Sequence, residues 1–207
     1  MTKTFLGLAF FSFMIIVLNA CKRVNDQYFP RYHLAPPCGW MNDPNGFCIF
    51  GKEYHMFYQH NPNSSLEPGI AHWGHAKSKD LFHWEHLPIA MYPDKTYDKT
   101  GVFSGSALIE NNTMYLYYTG NVNHPGKTPD HEEHQALGVS TDGVHFTKYK
   151  NNPVLIGANR QPNIRDPKVW KHGSKYYMVI GNSFKNDTLG QVLLYESNDK
   201  TNWQEVN

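Results

Sequence analysis

Two short motifs in this 207-residue sequence place an aspartate directly before a proline. Asp43 lies in the run Trp-Met-Asn-Asp-Pro-Asn-Gly at residues 40–46, and Asp166 lies in Arg-Asp-Pro at residues 165–167. Two carboxyl groups facing one pocket are what hydrolysis of a glycosidic bond requires. One attacks the anomeric carbon or supports its developing positive charge, and a second protonates the leaving oxygen. Taken alone, the first motif is more typical of a turn, because its residues are turn formers.

The neighbours of each aspartate predict different roles for the two. Asp43 suits the attacking role, which needs a carboxylate that stays ionised beside hydrogen-bond donors such as Asn42. Asp166 directly follows Arg165, whose guanidinium is expected to hold it ionised and to make it a poor proton donor. We therefore expect Asp166 to bind sugar hydroxyls and to stabilise the transition state.

The sequence repeats itself three times with a period of about 60 residues. One shared element is a polar turn before an aromatic, alternating strand, at residues 51–58, 111–118 and 173–180. The other is a Ser-x-Asp turn with an aromatic residue four positions after the aspartate, at residues 78–84, 140–146 and 197–203. Four strands per unit predict blades of a β-propeller, which has roughly four to eight blades. Three units cannot close such a ring, so we expect an N-terminal fragment of a longer protein. A complete three-unit fold of another kind is the weaker interpretation.

The repeat gives the two aspartates equivalent places. Asp43 precedes Tyr54 by eleven residues, and Asp166 precedes Tyr177 by the same interval. The polar motifs, with Phe-Ser-Gly-Ser at residues 103–106 between them, are predicted to stand just before the first strand of each blade. The first strands of a propeller line its central channel, so their leading ends converge on one pocket. This match favours an active site over an isolated turn.

These motifs resemble those of glycoside hydrolase family 32, the invertases and other β-fructofuranosidases. The resemblance runs from about His33 to Trp203, with motifs in the family's order at residues 40–46, 53–62, 72–76, 78–81, 83–88, 103–107 and 165–169. The loops at residues 68–72 and 121–126 resemble those of the insect fructofuranosidases. The resemblance implies an all-β, five-bladed β-propeller, usually followed by a β-sandwich. Residues 28–207 are then expected to hold about the first three blades of the catalytic domain.

The same resemblance implies roles for individual residues. Asp43 is expected to be the catalytic nucleophile and Asp166 the transition-state stabiliser. Trp40 is expected on the pocket wall, with fructose contacts from Asn42, Gln59, Phe103, Ser104 and Arg165. The implied activity is hydrolysis of terminal non-reducing β-D-fructofuranosides, foremost sucrose, by a retaining double displacement without metal or organic cofactor.

Two departures from the family pattern stand out. Many members carry Trp-Gly-Asn where residues 68–70 are Pro-Gly-Ile, which puts substrate preference in doubt. The family's acid/base glutamate, in a Glu-Cys-Pro motif after the third Ser-x-Asp turn, is absent from the chain. Glu196 directly precedes Ser197, as Lys77 precedes Ser78, so it is predicted at an ordinary strand end. Loss of general acid catalysis lowers rates by about 10²–10⁴-fold, so the chain alone is expected to be inactive.

Two other function classes remain open at this point. The missing acid favours a non-catalytic or degenerate carbohydrate-binding propeller if the chain is the whole product. A related five-bladed glycosidase acting on arabinan is the third hypothesis, and the complete motif at residues 40–46 argues against it. The net charge of +1 argues against a nucleic-acid binder and offers no basic membrane patch, so the expected partner is a small sugar.

The N-terminus predicts a targeting segment. A short basic start precedes an apolar run from Phe5 to Leu18, and Ala20 offers a small residue for cleavage. We expect a signal peptide at residues 1–20 and secretion. The alternative is a lipoprotein anchored at Cys21, which is the one membrane attachment considered. Three Asn-x-Ser/Thr sequons are candidate N-glycosylation sites in a secreted protein: Asn63, Asn111 and Asn186.

Two smaller features of the sequence concern its cysteines and a histidine- and glutamate-rich run. Cys38 and Cys48 either form a disulfide or stay as a pair of buried free thiols. The run His-Glu-Glu-His at residues 131–134 lacks the helical pattern of a metalloprotease motif and predicts a solvated loop.

Overall fold

The computed structural model describes residue 27 and residues 29–157, 163–184 and 187–206. The predicted signal peptide, Cys21 and the sequon at Asn186 lie outside these residues. The described residues form twelve β-strands and no helix, and so no helix among them could cross a membrane. The strands are β1 (Trp40–Phe50), β2 (Glu53–Asn61), β3 (His72–Ser78), β4 (Glu85–Met91), β5 (Gly101–Glu110), β6 (Thr113–Asn123), β7 (His131–Ser140), β8 (Thr147–Lys148), β9 (Ile164–His172), β10 (Lys175–Phe184), β11 (Leu189–Ser197) and β12 (Gln204–Glu205).

The strands form three antiparallel sheets of four consecutive strands each. Blade 1 contains β1–β4, blade 2 contains β5–β8 and blade 3 contains β9–β12, and the first strand of each blade forms one edge. The strand β5 contacts β1 on one side and β9 on the other, so the three first strands are neighbours. A parallel bridge between Ala71 and Gly101 also joins blades 1 and 2. This arrangement is that of propeller blades and confirms the three predicted units.

The core lies between adjacent blades. Alternate side chains of the middle blade's strands pack into two separate clusters, one on each face of the sheet. Along β6, Met114, Leu116 and Tyr118 pack into the cluster shared with blade 1. Tyr115 and Tyr117 point to the opposite face and pack into the cluster shared with blade 3. Because successive side chains of a strand face opposite sides, an aromatic and apolar strand can fill both interfaces of a middle blade.

In blades 2 and 3, the aromatic residue after the Ser-x-Asp turn packs against the preceding blade. Phe146 of blade 2 lies edge-on to Phe57 of blade 1, with ring centroids 5.6 Å apart. Trp203 of blade 3 lies edge-on to Tyr117 of blade 2 at 5.9 Å. Phe57 and Tyr117 occupy equivalent positions in the repeat, so the same contact recurs at each boundary. Such pairs add about 0.5–1.5 kcal/mol beyond the area they bury.

The Ser-x-Asp turns are held by their own side chains. In blade 2, Ser140 Oγ donates to Asp142 Oδ1 at 2.9 Å, and the backbone N–H groups of Val144 and His145 donate to the same oxygen at 2.8 Å. The same bonds recur at the turns of blades 1 and 3. In all three turns, donors to the carboxylate hold the aspartate pKa well below its ordinary value.

Cys38 and Cys48 do not pair with each other. Cys48 is a free thiol in β1, whereas Cys38 is disulfide-bonded, so neither of the two expectations for this pair is correct. Burial raises the pKa of the Cys48 thiol to about 12, which makes it a poor nucleophile.

Candidate active site

The three polar motifs lie inside the first strands. The prediction that they stand just before those strands was wrong. In each first strand, the pairing with the second strand shifts register at the motif. The shifts fall at Asp43 in β1, at Ser104 in β5 and at Asp166 and Pro167 in β9. A bulge of this kind leaves a residue unpaired and redirects its side chain. An edge strand with a bulge also accommodates proline, which is why turn-forming residues occur here within a strand.

The backbone is unusual at both aspartates. Asp43 has a φ of +23° and Asp166 a φ of +63°, both in the left-handed region. Such conformations cost about 1–3 kcal/mol in a residue other than glycine, although aspartate is among the residues that adopt them most often. The matched conformations confirm that the two aspartates occupy equivalent places in blades 1 and 3.

A chain of hydrogen bonds joins three of the predicted site residues. Gln59 Nε2 donates to Ser104 Oγ at 2.9 Å, and Ser104 Oγ donates to Asp43 Oδ2 at 3.1 Å. Ser104 is buried, whereas Asp43 is exposed to the pocket. The glycine after Ser104 is required, because a Cβ on Gly105 would lie 1.9 Å from the carbonyl oxygen of Tyr117. The bulge of blade 2 thus presents its serine to the carboxylate of blade 1.

Arg165 does not neutralise Asp166 in the way that its position in the sequence suggested. Its Nη1 donates to Glu133 Oε1 of blade 2 at 2.7 Å. The pKa of Asp166 is raised, first because protein surrounds the carboxyl and second because the charges of Glu133 and Asp43 repel it. The attraction of Arg165 opposes this rise without cancelling it. Asp166 is nevertheless an exposed residue, so protein surrounds only part of its carboxyl.

The charge of Asp43 is one of those that raise the pKa of Asp166. The two carboxyl groups therefore lie close enough to interact across the space between the first strands. Both aspartates lie at the leading ends of first strands, with Ser104 on the first strand of the middle blade between them.

The remaining predicted residues border the same end of the first strands. Trp40 opens β1, and His60 Nδ1 donates to its carbonyl oxygen at 2.9 Å. Asn42 pairs in register with Gln59 of β2. Phe103 is half-buried beside Ser104, and its carbonyl oxygen accepts a bond from Trp73 Nε1 at 2.9 Å. All eight predicted site residues are thus at the pocket end of the blades.

Glu196 lies elsewhere, as the repeat predicted. It pairs with Tyr177 near the far end of blade 3 and forms an ion pair with Lys175 Nζ at 2.8 Å. Lys175 in turn pairs with His172, at the opposite end of β9 from Arg165. The strand-end position of Glu196 is confirmed, and it does not face the two aspartates.

Glu133 is a residue of the site that the sequence interpretation missed. The run at residues 131–134 opens the strand β7, so the prediction of a solvated loop was wrong. Glu133 is buried and paired with Arg165. The signal that was available is its spacing: Glu133 stands two residues before Gln135, on the same face of a strand that continues into Ala-Leu-Gly-Val.

Comparison with known proteins points to one family. A profile described as "Glycosyl hydrolases family 32 N-terminal domain" matches residues 33–207. The chain is 44% identical over 184 residues to sucrose-6-phosphate hydrolase of Escherichia coli, covering 88% of this chain and 38% of that protein. A family 32 β-fructofuranosidase of Bombyx mori has a TM-score of 0.78 at 44% identity, covering 87% of this chain and 37% of that one. Sucrose-6-phosphate hydrolase of Lactobacillus gasseri has a TM-score of 0.76 at 36% identity, covering 84% and 35%.

The chain spans about 38% of the length of the curated relatives it matches. Its three blades correspond to part of the five-bladed β-propeller that forms the N-terminal domain of the family. The matched profile, the shared fold and the motifs on the pocket lead to one conclusion: the chain belongs to glycoside hydrolase family 32.

Proposed function

We propose that this chain carries the nucleophile half of a fructoside-cleaving active site. The protein that contains it hydrolyses terminal non-reducing β-D-fructofuranosides, with sucrose as the substrate. The observation that carries the proposal is the placement of Asp43 and Asp166 in matching bulges, with Ser104 of the middle blade hydrogen-bonded to Asp43.

In this mechanism the Asp43 carboxylate attacks the anomeric carbon of the fructosyl unit. The Ser104 hydroxyl supports the charge on Asp43 before attack and holds the carboxylate in one orientation. Positive charge develops on the fructosyl ring in the transition state, and the negative charge of Asp166 stabilises it. Because Asp166 is exposed, its oxygens are also available to accept hydrogen bonds from sugar hydroxyls.

The leaving glucosyl oxygen needs a proton from a general acid. The family's Glu-Cys-Pro glutamate would supply it, and that motif does not occur among these 207 residues. Water then attacks the fructosyl–Asp43 ester and releases fructose with retained configuration. This chain therefore supplies the nucleophile Asp43, the stabilising charge of Asp166 and residues that bind the fructosyl unit.

The substrate class is supported by the ligands of the relatives. A Bombyx mori β-fructofuranosidase variant with an aspartate replaced by alanine was solved in complex with sucrose. A variant of fructan 1-exohydrolase from Cichorium intybus was solved with 1-kestose. Both ligands carry a fructosyl unit, which supports fructosides for this chain. Sucrose 6-phosphate is the second candidate, because several curated relatives are hydrolases of that compound.

Secretion after cleavage of residues 1–20 is part of the proposal. The disulfide bond at Cys38 supports it, since such bonds persist in oxidising compartments and are rare in the cytosol. Asn63 and Asn111 are both exposed and accessible to glycosylation. Mass spectrometry of the mature protein, with and without enzymatic deglycosylation, identifies its first residue, any lipid and any occupied sequon.

The test is sucrose hydrolysis by the native protein that contains this chain. We expect Asp43→Asn to lower kcat by about 10³-fold or more, because a neutral amide cannot form the covalent intermediate. Glu196→Gln is the matched control, since it removes a carboxylate at the other end of the blades, and its kcat should equal that of the wild type. Equal turnover by wild type and Asp43→Asn would overturn the assignment. Fructoside binding without hydrolysis by the wild type would instead indicate a non-catalytic carbohydrate-binding propeller.

A further inference from the structure

Three buried polar side chains of blade 2 hold three consecutive residues of blade 3. We call Thr119, Glu133 and Gln135 the blade-2 cradle; all three are at most 1% exposed. The bonds run from Gln135 Nε2 to Ile164 O (2.8 Å), from Arg165 Nη1 to Glu133 Oε1 (2.7 Å) and from Asp166 N to Thr119 Oγ1 (3.1 Å). The bulge that carries Asp166 is therefore positioned from the neighbouring blade.

Two residues of the cradle are hydrogen-bonded to each other, and this bond fixes which atoms donate and which accept. Thr119 Oγ1 donates its only hydrogen to Gln135 Oε1 at 2.7 Å, so its lone pairs are left to accept from the N–H of Asp166. Gln135 accepts through Oε1 and donates through Nε2, so its amide has one consistent orientation. Two members of the cradle thus satisfy the backbone around Asp166 by neutral hydrogen bonds.

Glu133 differs from the other two because it brings a charge into the protein interior. Its Oε1 binds Arg165, while its Oε2 is buried with no hydrogen-bond partner among the residues that the structure describes. Burying a carboxylate with an unpaired oxygen is costly, and a neutral glutamine could accept the same bond through its amide oxygen. A neutral amide would hold the guanidinium less strongly than a carboxylate does, so the charge of Glu133 matters when a second carboxylate, Asp166, stands nearby.

We propose that Glu133 is a positioning residue that keeps the Arg165 guanidinium on the blade-2 side of the pocket and away from Asp166. Arg165 is half-exposed and directly precedes Asp166, so a released guanidinium has a carboxylate within reach. A two-pronged Arg–carboxylate pair would occupy the oxygens that sugar hydroxyls need. Glu133 prevents this by offering the guanidinium a buried carboxylate of its own.

The charged groups around Arg165 and Asp166 are consistent with a separation of the two side chains. Glu133 and Asp43 raise the pKa of Asp166 and Arg165 lowers it, with partial burial as the largest cause of the net rise. Asp187 is another carboxylate near Arg165, and it is held by Asn163 Nδ2 at 2.9 Å and by the hydroxyl of Ser183. Asp166 is thus the acceptor to which a released Arg165 would turn.

The test compares Glu133→Gln with Glu132→Gln. Glu132 is the adjacent residue of β7 and pairs with His124 Nε2 at 3.0 Å, so its replacement removes a charge without touching Arg165. The readout is the pKa of the Asp166 carboxyl, from ¹³C NMR titration of the protein. We expect Glu133→Gln to lower it by about one unit, because a repelling charge is lost and Arg165 is released. Glu132→Gln should change it much less.

Binding of fructose, measured by calorimetry, is the second readout. Its relevance depends on the proposed function, whereas the NMR readout does not. We expect Glu133→Gln to weaken fructose binding by about tenfold and Glu132→Gln to leave it unchanged. If the wild type does not bind fructose, the proposed function fails for this chain, and the Asp166 pKa still decides the role of Glu133.

An unchanged pKa of Asp166 in Glu133→Gln, or an equal fall in both variants, would overturn the inference. A third readout needs no variant and so does not depend on its folding. A guanidinium fixed by a buried carboxylate should show separate, slowly exchanging ¹⁵Nη signals for Arg165 in the wild type. A single averaged Arg165 signal would mean that Glu133 does not hold it, and would also overturn the inference.

Discussion

The hydroxyl of Ser104 lies 3.1 Å from Asp43 Oδ2 and bonds to it across the boundary between blades 1 and 2. Gln59 Nε2 donates to the same hydroxyl oxygen at 2.9 Å, which leaves the hydroxyl hydrogen to point at the carboxylate. Ser104 is therefore a donor to Asp43 and holds the carboxylate of the proposed nucleophile in one orientation.

Ser104→Ala should lower kcat/KM for sucrose by about 10–100-fold, because a hydrogen bond to a charged group contributes about 1.5–3 kcal/mol. The matched control is Ser106→Ala, two residues along the same strand. Ser106 Oγ donates to the carbonyl oxygen of Pro167 at 2.8 Å and accepts from Val169 N at 3.0 Å, so it joins blades 2 and 3. Its loss should reduce the free energy of unfolding by about 1–3 kcal/mol. Full activity in Ser104→Ala would contradict the donor role.

Asp166→Asn should stabilise the fold at neutral pH while it lowers activity. Because the folded-state pKa of Asp166 is raised above 3.8, ionisation is less favourable in the folded than in the unfolded chain. The free energy of unfolding therefore falls as pH rises through that range, and asparagine removes this loss. Asparagine also tolerates the φ of +63°.

The measurement for this variant is the melting temperature at pH 7 and at pH 3. We expect Asp166→Asn to melt a few degrees higher than the wild type at pH 7 and at the same temperature at pH 3. The kcat/KM for sucrose should fall by about 10²-fold or more. If the variant is less stable than the wild type at pH 7, then the ionised Asp166 carboxylate does not destabilise the folded chain.

Acid should destabilise the protein through His75. Burial first, then the charges of His55 and Lys77, lower the pKa of His75 to about 3. Its ring stacks on Phe57 at 4.2 Å, and His55 Nδ1 lies 2.9 Å from its Nε2. The unfolded chain binds a proton near pH 6.5 that the folded chain excludes, so stability is complete above that pH and is lost as pH falls toward 3.

We expect His75 alone to contribute about 1.4 kcal/mol per pH unit to the fall in unfolding free energy across this window. Urea unfolding at several pH values measures the slope. His75→Gln should reduce it, with the remainder due partly to His55, whose pKa is also lowered by burial. Replacing the exposed His172 by glutamine should leave the slope unchanged. The same slope in all three proteins would contradict the role of His75.

The hydrogen bonds within the Ser-x-Asp turns should stabilise the fold. Asp142→Ala removes the acceptor of two backbone N–H groups and of Ser140 Oγ, and should lower the free energy of unfolding by about 1 kcal/mol. Because the pKa of Asp142 is lowered, this contribution is present above pH 3.8 and disappears as pH falls below it. Thr141→Ala, an exposed neighbour, is the control. Equal stability of the two variants at pH 7 would contradict this account.

The fold was predictable because its signals are local and repeated. Alternating aromatic strands, Ser-x-Asp turns and a period of about 60 residues indicated four-stranded blades, and the structure contains three of them. The equal interval from Asp43 to Tyr54 and from Asp166 to Tyr177 placed both aspartates at equivalent positions. Repetition turned a motif that resembles a turn into evidence for a shared pocket.

The sequence by itself therefore determined the blades, their order and the equivalent positions of Asp43 and Asp166, although it missed Glu133. Only the tertiary structure decided how those residues pair. Arg165 and Asp166 are adjacent in the chain, yet Arg165 binds Glu133 on the next blade instead of its own neighbour. Ser104 likewise meets Asp43 across 61 residues of chain. Protein packed around the carboxyl raises the pKa of Asp166, and the charges of Glu133 and Asp43 from the other blades add to the rise, so the packing of one sheet against the next decides the ionisation of Asp166.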